Sequence, residues 1–98
     1  MSYEIRLREE AEHDLSEAST WYQQQQPGLG HEFLDEVLST LQSIQGRPLS
    51  YPVIYRETRR AFTGRFPFGV FYQIQSDTIV VFAILHASRS PYRWRQRT

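Results

Sequence analysis

The 98-residue sequence predicts an α+β domain of order β-α-α-β-β-β, with a helical hairpin packed on one face of a small sheet. Three observations predict it. Apolar residues alternate at the N-terminus, take up helical spacing from Arg8, and return to alternation after residue 58. Pro27-Gly28-Leu29-Gly30 divides the helical stretch in two. Formal charge divides where the helical half ends. Residues 1–46 hold Arg6 and Arg8 against nine acids, a balance of −7, and residues 47–98 hold nine Arg against Glu57 and Asp77, a balance of +7.

The elements follow in order. Ser2 to Leu7 alternates with Tyr3, Ile5 and Leu7 on one face, a short strand expected beside a later one. Ala11, Leu15, Ala18 and Tyr22 then recur on one helical face, with Glu9, Glu10 and Glu12 in the first turn where the helix dipole favours acids. Asp14 and Glu17 are expected on the outer face. A second helix carries Phe33, Leu34, Val37, Leu38, Leu41 and Ile44 as an apolar stripe, with Glu32, Asp35, Glu36 and Gln42 outward, and Gly46 and Pro48 stop it. The hairpin thus spans about residues 9–46. Residues 47–57 carry two prolines and read as an extended loop. Strands are expected over about Arg59 to Thr63, Phe68 to Gln75 and Thr78 to Leu85, so the sheet draws on about 2–7 and 58–86. Phe68, Val70, Tyr72 and Ile74 share one face of the middle strand and Phe71 takes the other, and Ser76-Asp77 turns the last hairpin. TIVVFAIL is apolar throughout, as a strand covered on both faces requires. Residues 87–98 form a basic, aromatic tail.

Composition bounds the chemistry. The length fits one domain over 1–98. With no cysteine, disulfides and thiolate zinc sites are excluded. No window reaches the ~18 apolar residues of a membrane span and the N-terminus has no apolar leader, so the expected compartment is the cytoplasm, with no membrane partner. All eleven basic residues are Arg, whose planar fork recognises carboxylate and phosphate but does not act as a base near neutral pH. The charge split has two readings: an acidic or polyanionic partner for the second half, or mutual neutralisation of the halves where they pack.

Three constellations are candidates. Arg56, Arg59, Arg60 and Arg65 cluster at the start of the sheet, as a phosphate or acidic-partner site or as solvated strand ends. His86 and Arg89 follow the central strand, where a side chain lines a cleft; His86 is an acid–base candidate or a structural histidine. Without a second His or Cys nearby, no metal site is expected. The tail interleaves Arg93, Arg95 and Arg97 with Tyr92 and Trp94. This pattern suits base stacking and phosphate binding, or a strap with Trp94 plugging the sheet face. No paired-carboxylate site, Ser/His/Asp array or phosphate-binding glycine loop is present, and no cofactor is expected.

Taken together, the motifs resemble the RelE/ParE family of bacterial type II toxin–antitoxin modules, specifically its ParE-like branch of plasmid stabilisation proteins. The matching pieces are Ala11-x-x-Asp14-Leu15, Trp21-Tyr22, Pro27-Gly28-Leu29-Gly30-x-x-Phe33, Arg59-Arg60, Arg65-Phe66-Pro67-Phe68 leading into Tyr72, and His86-x-x-Arg89-x-Pro91-x-x-Trp94. The resemblance covers essentially the whole chain. It implies a helical hairpin on a mainly antiparallel sheet. It also implies a toxin held in a hetero-oligomer by a cognate antitoxin, whose disordered acidic C-terminal segment folds on binding.

The resemblance leaves the target divided. ParE-like members inhibit DNA gyrase, whereas RelE-like members cleave mRNA on the ribosome with Lys, a strand Arg and a late Tyr or His. Here there is no Lys, the strand Arg position is Gly69 and the late Tyr position is Trp94. The expectation is therefore a gyrase-inhibiting protein that binds antitoxin or target through Arg56, Arg59, Arg60, Arg65, His86, Arg89, Trp94 and Arg97. The alternatives are an mRNA endoribonuclease using His86, Arg89, Arg59 and Arg65, or an attenuated antitoxin-binding member.

Overall fold

The computed structural model describes residues 2–98. Strand β1 (Glu4–Leu7) leads into helices α1 (Glu9–Gln25) and α2 (Leu29–Gly46). Strands β2 (Val53–Tyr55), β3 (Thr58–Phe62), β4 (Phe68–Gln75) and β5 (Thr78–His86) follow, and a short helix α3 (Pro91–Arg95) closes the chain. The five strands lie in the order β1-β5-β4-β3-β2, antiparallel except where β1 runs parallel to β5. The expected architecture is therefore present, with one correction. The stretch 47–57 is not a plain loop: it holds a 3-10 turn at Pro48–Ser50 and the edge strand β2. The basic, aromatic tail contains a short helix, because Pro91 starts α3 and the Ser90 side chain caps it.

The hairpin turn follows from local chemistry. Gly28 sits at φ 91°, which glycine adopts without Cβ strain. The Gln23 side-chain oxygen accepts the Gly28 and Gly30 N–H groups at 3.0 and 3.2 Å. A Cβ on Gly30 would lie 2.6 Å from the Ser19 carbonyl oxygen, so glycine here sets how closely the helices approach.

The sheet has a core on each face. Facing the hairpin, Phe33, Val37, Ile44, Val70, Tyr72, Ile79, Val81 and Ile84 are buried, with Leu15, Ala18 and Tyr22 packed on them. The other face buries Phe71, Phe82, Ala83 and Leu85 under Trp94 of α3. A bulge in β5 divides its residues between the two. Phe71 pairs with Ala83 but Tyr72 with Val81, so Phe82 is the extra residue, and Phe82 and Ala83 both join the α3-side cluster. The stripe on α2 is narrower than its sequence suggests, since Leu38 is 54% exposed. No helix among the described residues is long and apolar enough to cross a membrane.

Candidate functional site

The end of β5 separates two concavities. Pairing of β1 with β5 stops at Leu7 opposite Val81, so the outer edge of β5 beyond Val81 has no strand neighbour. Side chains occupy its start. Asp14 Oδ2 accepts the Ile84 N–H at 3.0 Å, and Arg97 Nη1 donates to the Phe82 carbonyl at 3.1 Å. Arg97 also donates to the Asp14 carboxylate at 2.6 and 3.2 Å. That hydrogen bond, against an opposing desolvation, raises the Arg97 pKa. Asp14 was expected on the outer face of α1; it is buried, because it is the acceptor that an unpaired strand edge requires.

Beyond this brace lies a groove of about 860 Å³ between α1 and the turn after β5. Ala18, Trp21, Tyr22, Phe68 and Ile84 line it, with Asp14 and Glu17 on the α1 side and Arg89 and Arg93 from the chain beyond β5. Trp21 is 55% exposed and stands edge-on to Tyr22, with ring centroids 5.1 Å apart. Burial, with the Glu36 carboxylate adding, pushes the Tyr22 phenol above its ordinary pKa.

On the α3 side of β5 is a smaller hollow of about 150 Å³, lined by Arg60, His86 and Arg89 among Phe62, Phe71, Pro91 and Trp94. Gly69 belongs to its floor. A Cβ there would meet the Phe71 ring at 3.1 Å and the Arg60 stem at 3.2 Å, so glycine lets Arg60 lie flat and reach the Phe62 ring, its Cζ 4.4 Å from the centroid. The Ser88 N–H donates to His86 Nδ1 at 3.0 Å, with the Ser88 hydroxyl 2.7 Å away. That bond fixes Nδ1 as an acceptor, so the proton of the neutral ring is assigned to Nε2. The polar side chains of the hollow, Arg60, His86 and Arg89, then offer donors and no carboxylate.

The residues expected to bind are distributed unevenly. Arg60, His86 and Arg89 converge on the hollow, and His86 and Arg89 also line the groove. Arg56 lies apart, its Cζ 5.1 Å from the Tyr55 ring centroid. Arg59 turns inward and donates to the Tyr51 and Leu49 carbonyls at 2.6 and 3.3 Å, holding the 3-10 turn. Arg65 pairs with Glu32 at 2.6 Å. Arg97 is spent on Asp14, and Trp94 is buried against Phe71 with centroids 4.8 Å apart, the strap rather than a free contact. Glu36, expected outward, turns in to accept the Arg65 and Phe66 N–H groups at 2.6 and 2.8 Å. Sequence reasoning also left Phe62 and Ser88 unassigned; the Arg60-x-Phe62 alternation along one strand was the available signal for the former.

The family model for the ParE toxin of the parDE type II toxin–antitoxin system matches residues 5–91. The chain belongs to the ParE toxin family. This ParE-type toxin shares its fold with a chain of the chromosomal ParDE system from P. aeruginosa, at TM-score 0.77 and 15% identity, covering 86% of this chain and 95% of that one. It is also similar to a chain of the RelBE2 toxin–antitoxin complex from Mycobacterium tuberculosis, at TM-score 0.61 and 18% identity, covering 88% and 99%. No curated protein matches it by sequence. The ParE-type toxin keeps the family's helical hairpin and sheet, and places its arginine-lined hollow where the two layers of β5 side chains part.

Proposed function

We propose that this ParE-type toxin acts in the cytoplasm by binding and inhibiting DNA gyrase, without nuclease chemistry, and is neutralised by a cognate antitoxin with an acidic C-terminal segment. One observation carries the choice of target. Cleaving RNA through its 2′-OH needs a group that takes the hydroxyl proton. The hollow that holds Arg60, His86 and Arg89 has no Asp, Glu, Lys or Tyr in its lining. Its guanidiniums do not deprotonate near neutral pH, and the only free lone pair of the neutral His86 ring is engaged by the Ser88 N–H. Arg59 and Arg65, the other two arginines of the endonuclease alternative, are bonded elsewhere in the fold.

The groove supports the antitoxin half of the reading. Its apolar wall, from Ala18 to Phe68, suits the hydrophobic residues of a segment that folds on binding, and Arg89 and Arg93 suit its acids. A supercoiling assay with purified toxin and gyrase tests the target. Inhibition at excess toxin, relieved by the antitoxin, is the expected result, with no cuts in translated mRNA by primer extension. Unchanged supercoiling would remove gyrase as the target, and growth unaffected on induction without antitoxin would mark an attenuated member.

A further inference from the structure

We propose that the hollow on the α3 face holds a backbone phosphate of a single-stranded nucleic acid, with an adjoining base stacked on Phe62. The site is cationic by construction. Arg60 and Arg89 line one cavity of about 150 Å³, and neither has a carboxylate within ion-pair distance among the described residues. Two like charges held together repel, and an anion between them reverses the sign of the interaction. His86 adds a third donor through Nε2–H, because Ser88 holds Nδ1 as the acceptor. The lining contains no Asp or Glu to compete for the donors, so the site favours oxyanions over cations. Gly69 leaves room for this arrangement, since a Cβ there would press on the Arg60 stem at 3.2 Å.

The rings decide which oxyanion carrier fits. Phe62 is 56% exposed beside the Arg60 guanidinium, and Tyr92 in α3 is 69% exposed. Exposed aromatic faces next to phosphate-binding arginines are a platform for bases, and only an unpaired base offers its face. Arg56 and Arg95 flank Tyr55, with Cζ 5.1 and 4.6 Å from its ring centroid, and extend the cationic track away from the hollow. A carboxylate from an acidic peptide would satisfy the arginines but leave the Phe62 ring unused. The strand is bound and left uncut, because no group in the hollow takes a proton from it.

The test uses the full-length toxin and a fluorescein-labelled 12-nucleotide oligothymidylate, with anisotropy read at NaCl from 50 to 300 mM. Saturable binding is expected, with a log–log salt slope of about −0.7 for the one phosphate held in the hollow. Arg60→Gln and Arg89→Gln should each weaken binding and flatten that slope toward zero, and Phe62→Ala should weaken binding roughly tenfold with the slope unchanged. Thermal melts that match the parent protein show that the variants fold. Absence of saturable binding overturns the proposal, as do folded Arg60 and Arg89 variants that bind like the parent. A 12-residue oligoglutamate that binds as tightly as the oligonucleotide also overturns it and assigns the face to an acidic protein. Gyrase takes no part in the measurement, so its failure leaves the supercoiling result standing, and the converse holds.

Discussion

Asp14 holds three groups together: the Ile84 N–H and two donors of Arg97. Removing one partner of a buried ion pair leaves the other charge without compensation, which costs about 3–5 kcal/mol. Asp14→Ala should therefore lower unfolding free energy by about that amount in urea titration and release the last residues of the tail, visible as faster amide exchange in α3. Tyr72 is the residue that couples stability to pH. Its ring is fully buried and its hydroxyl donates to the Pro48 carbonyl at 2.6 Å. Burial is the main cause that pushes its pKa from 10.0 up to about 12, while Arg59 pulls the other way. The folded state keeps the phenol proton through a range where the unfolded chain loses it. The stabilisation is thus fully present below about pH 10 and is lost as pH rises through 12. Tyr72→Phe should remove this dependence, losing roughly 2–3 kcal/mol less than the parent between pH 10 and 12 in denaturation series, at 1.36 kcal/mol per pKa unit.

At the scale of elements, two contacts fix how the layers meet. The first is the helix–helix approach at Gly30. Backbone cannot move aside as a side chain can, so Gly30→Ala should cost about 1–3 kcal/mol by overpacking against the Ser19 carbonyl. Gly46→Ala is the control, since a Cβ there meets nothing within 4 Å, and urea titration should find it neutral or slightly stabilising. The second contact is Glu36, whose carboxylate pins the loop between β3 and β4 to α2. The β5 bulge does comparable work inside the sheet. By adding Phe82 it turns Phe82, Ala83 and Leu85 toward Trp94 while Ile84 stays with the hairpin. His86 and Arg89 consequently leave the strand at the border between groove and hollow.

Across the whole molecule, the opposed charges of the two halves meet sparingly. Among the described residues the ion pairs that join them are Glu32–Arg65 and Asp14–Arg97. Mutual neutralisation therefore accounts for a small part of the basic half, and Arg56, Arg60, Arg89, Arg93 and Arg95 remain for ligands. The element order, the hairpin and its glycine turn, and the apolar alternation of β4 were legible in the sequence, because period and turn chemistry act between residues a few positions apart. The strand β2 was not legible: two prolines mask it, and only pairing with β3 makes it a strand. The candidate site was legible as a set of residue types but not as a place. Arg60, His86 and Arg89 come together only because β3, β4 and β5 pair in one register, while Arg59 and Arg97 find acceptors inside the fold and Arg65 pairs with Glu32 at the surface. The sequence by itself determined the layers and the family likeness, which rest on local spacing. The tertiary structure alone decided which arginines stay free, since a partner 83 residues away, as Asp14 is from Arg97, exists only once the chain has folded.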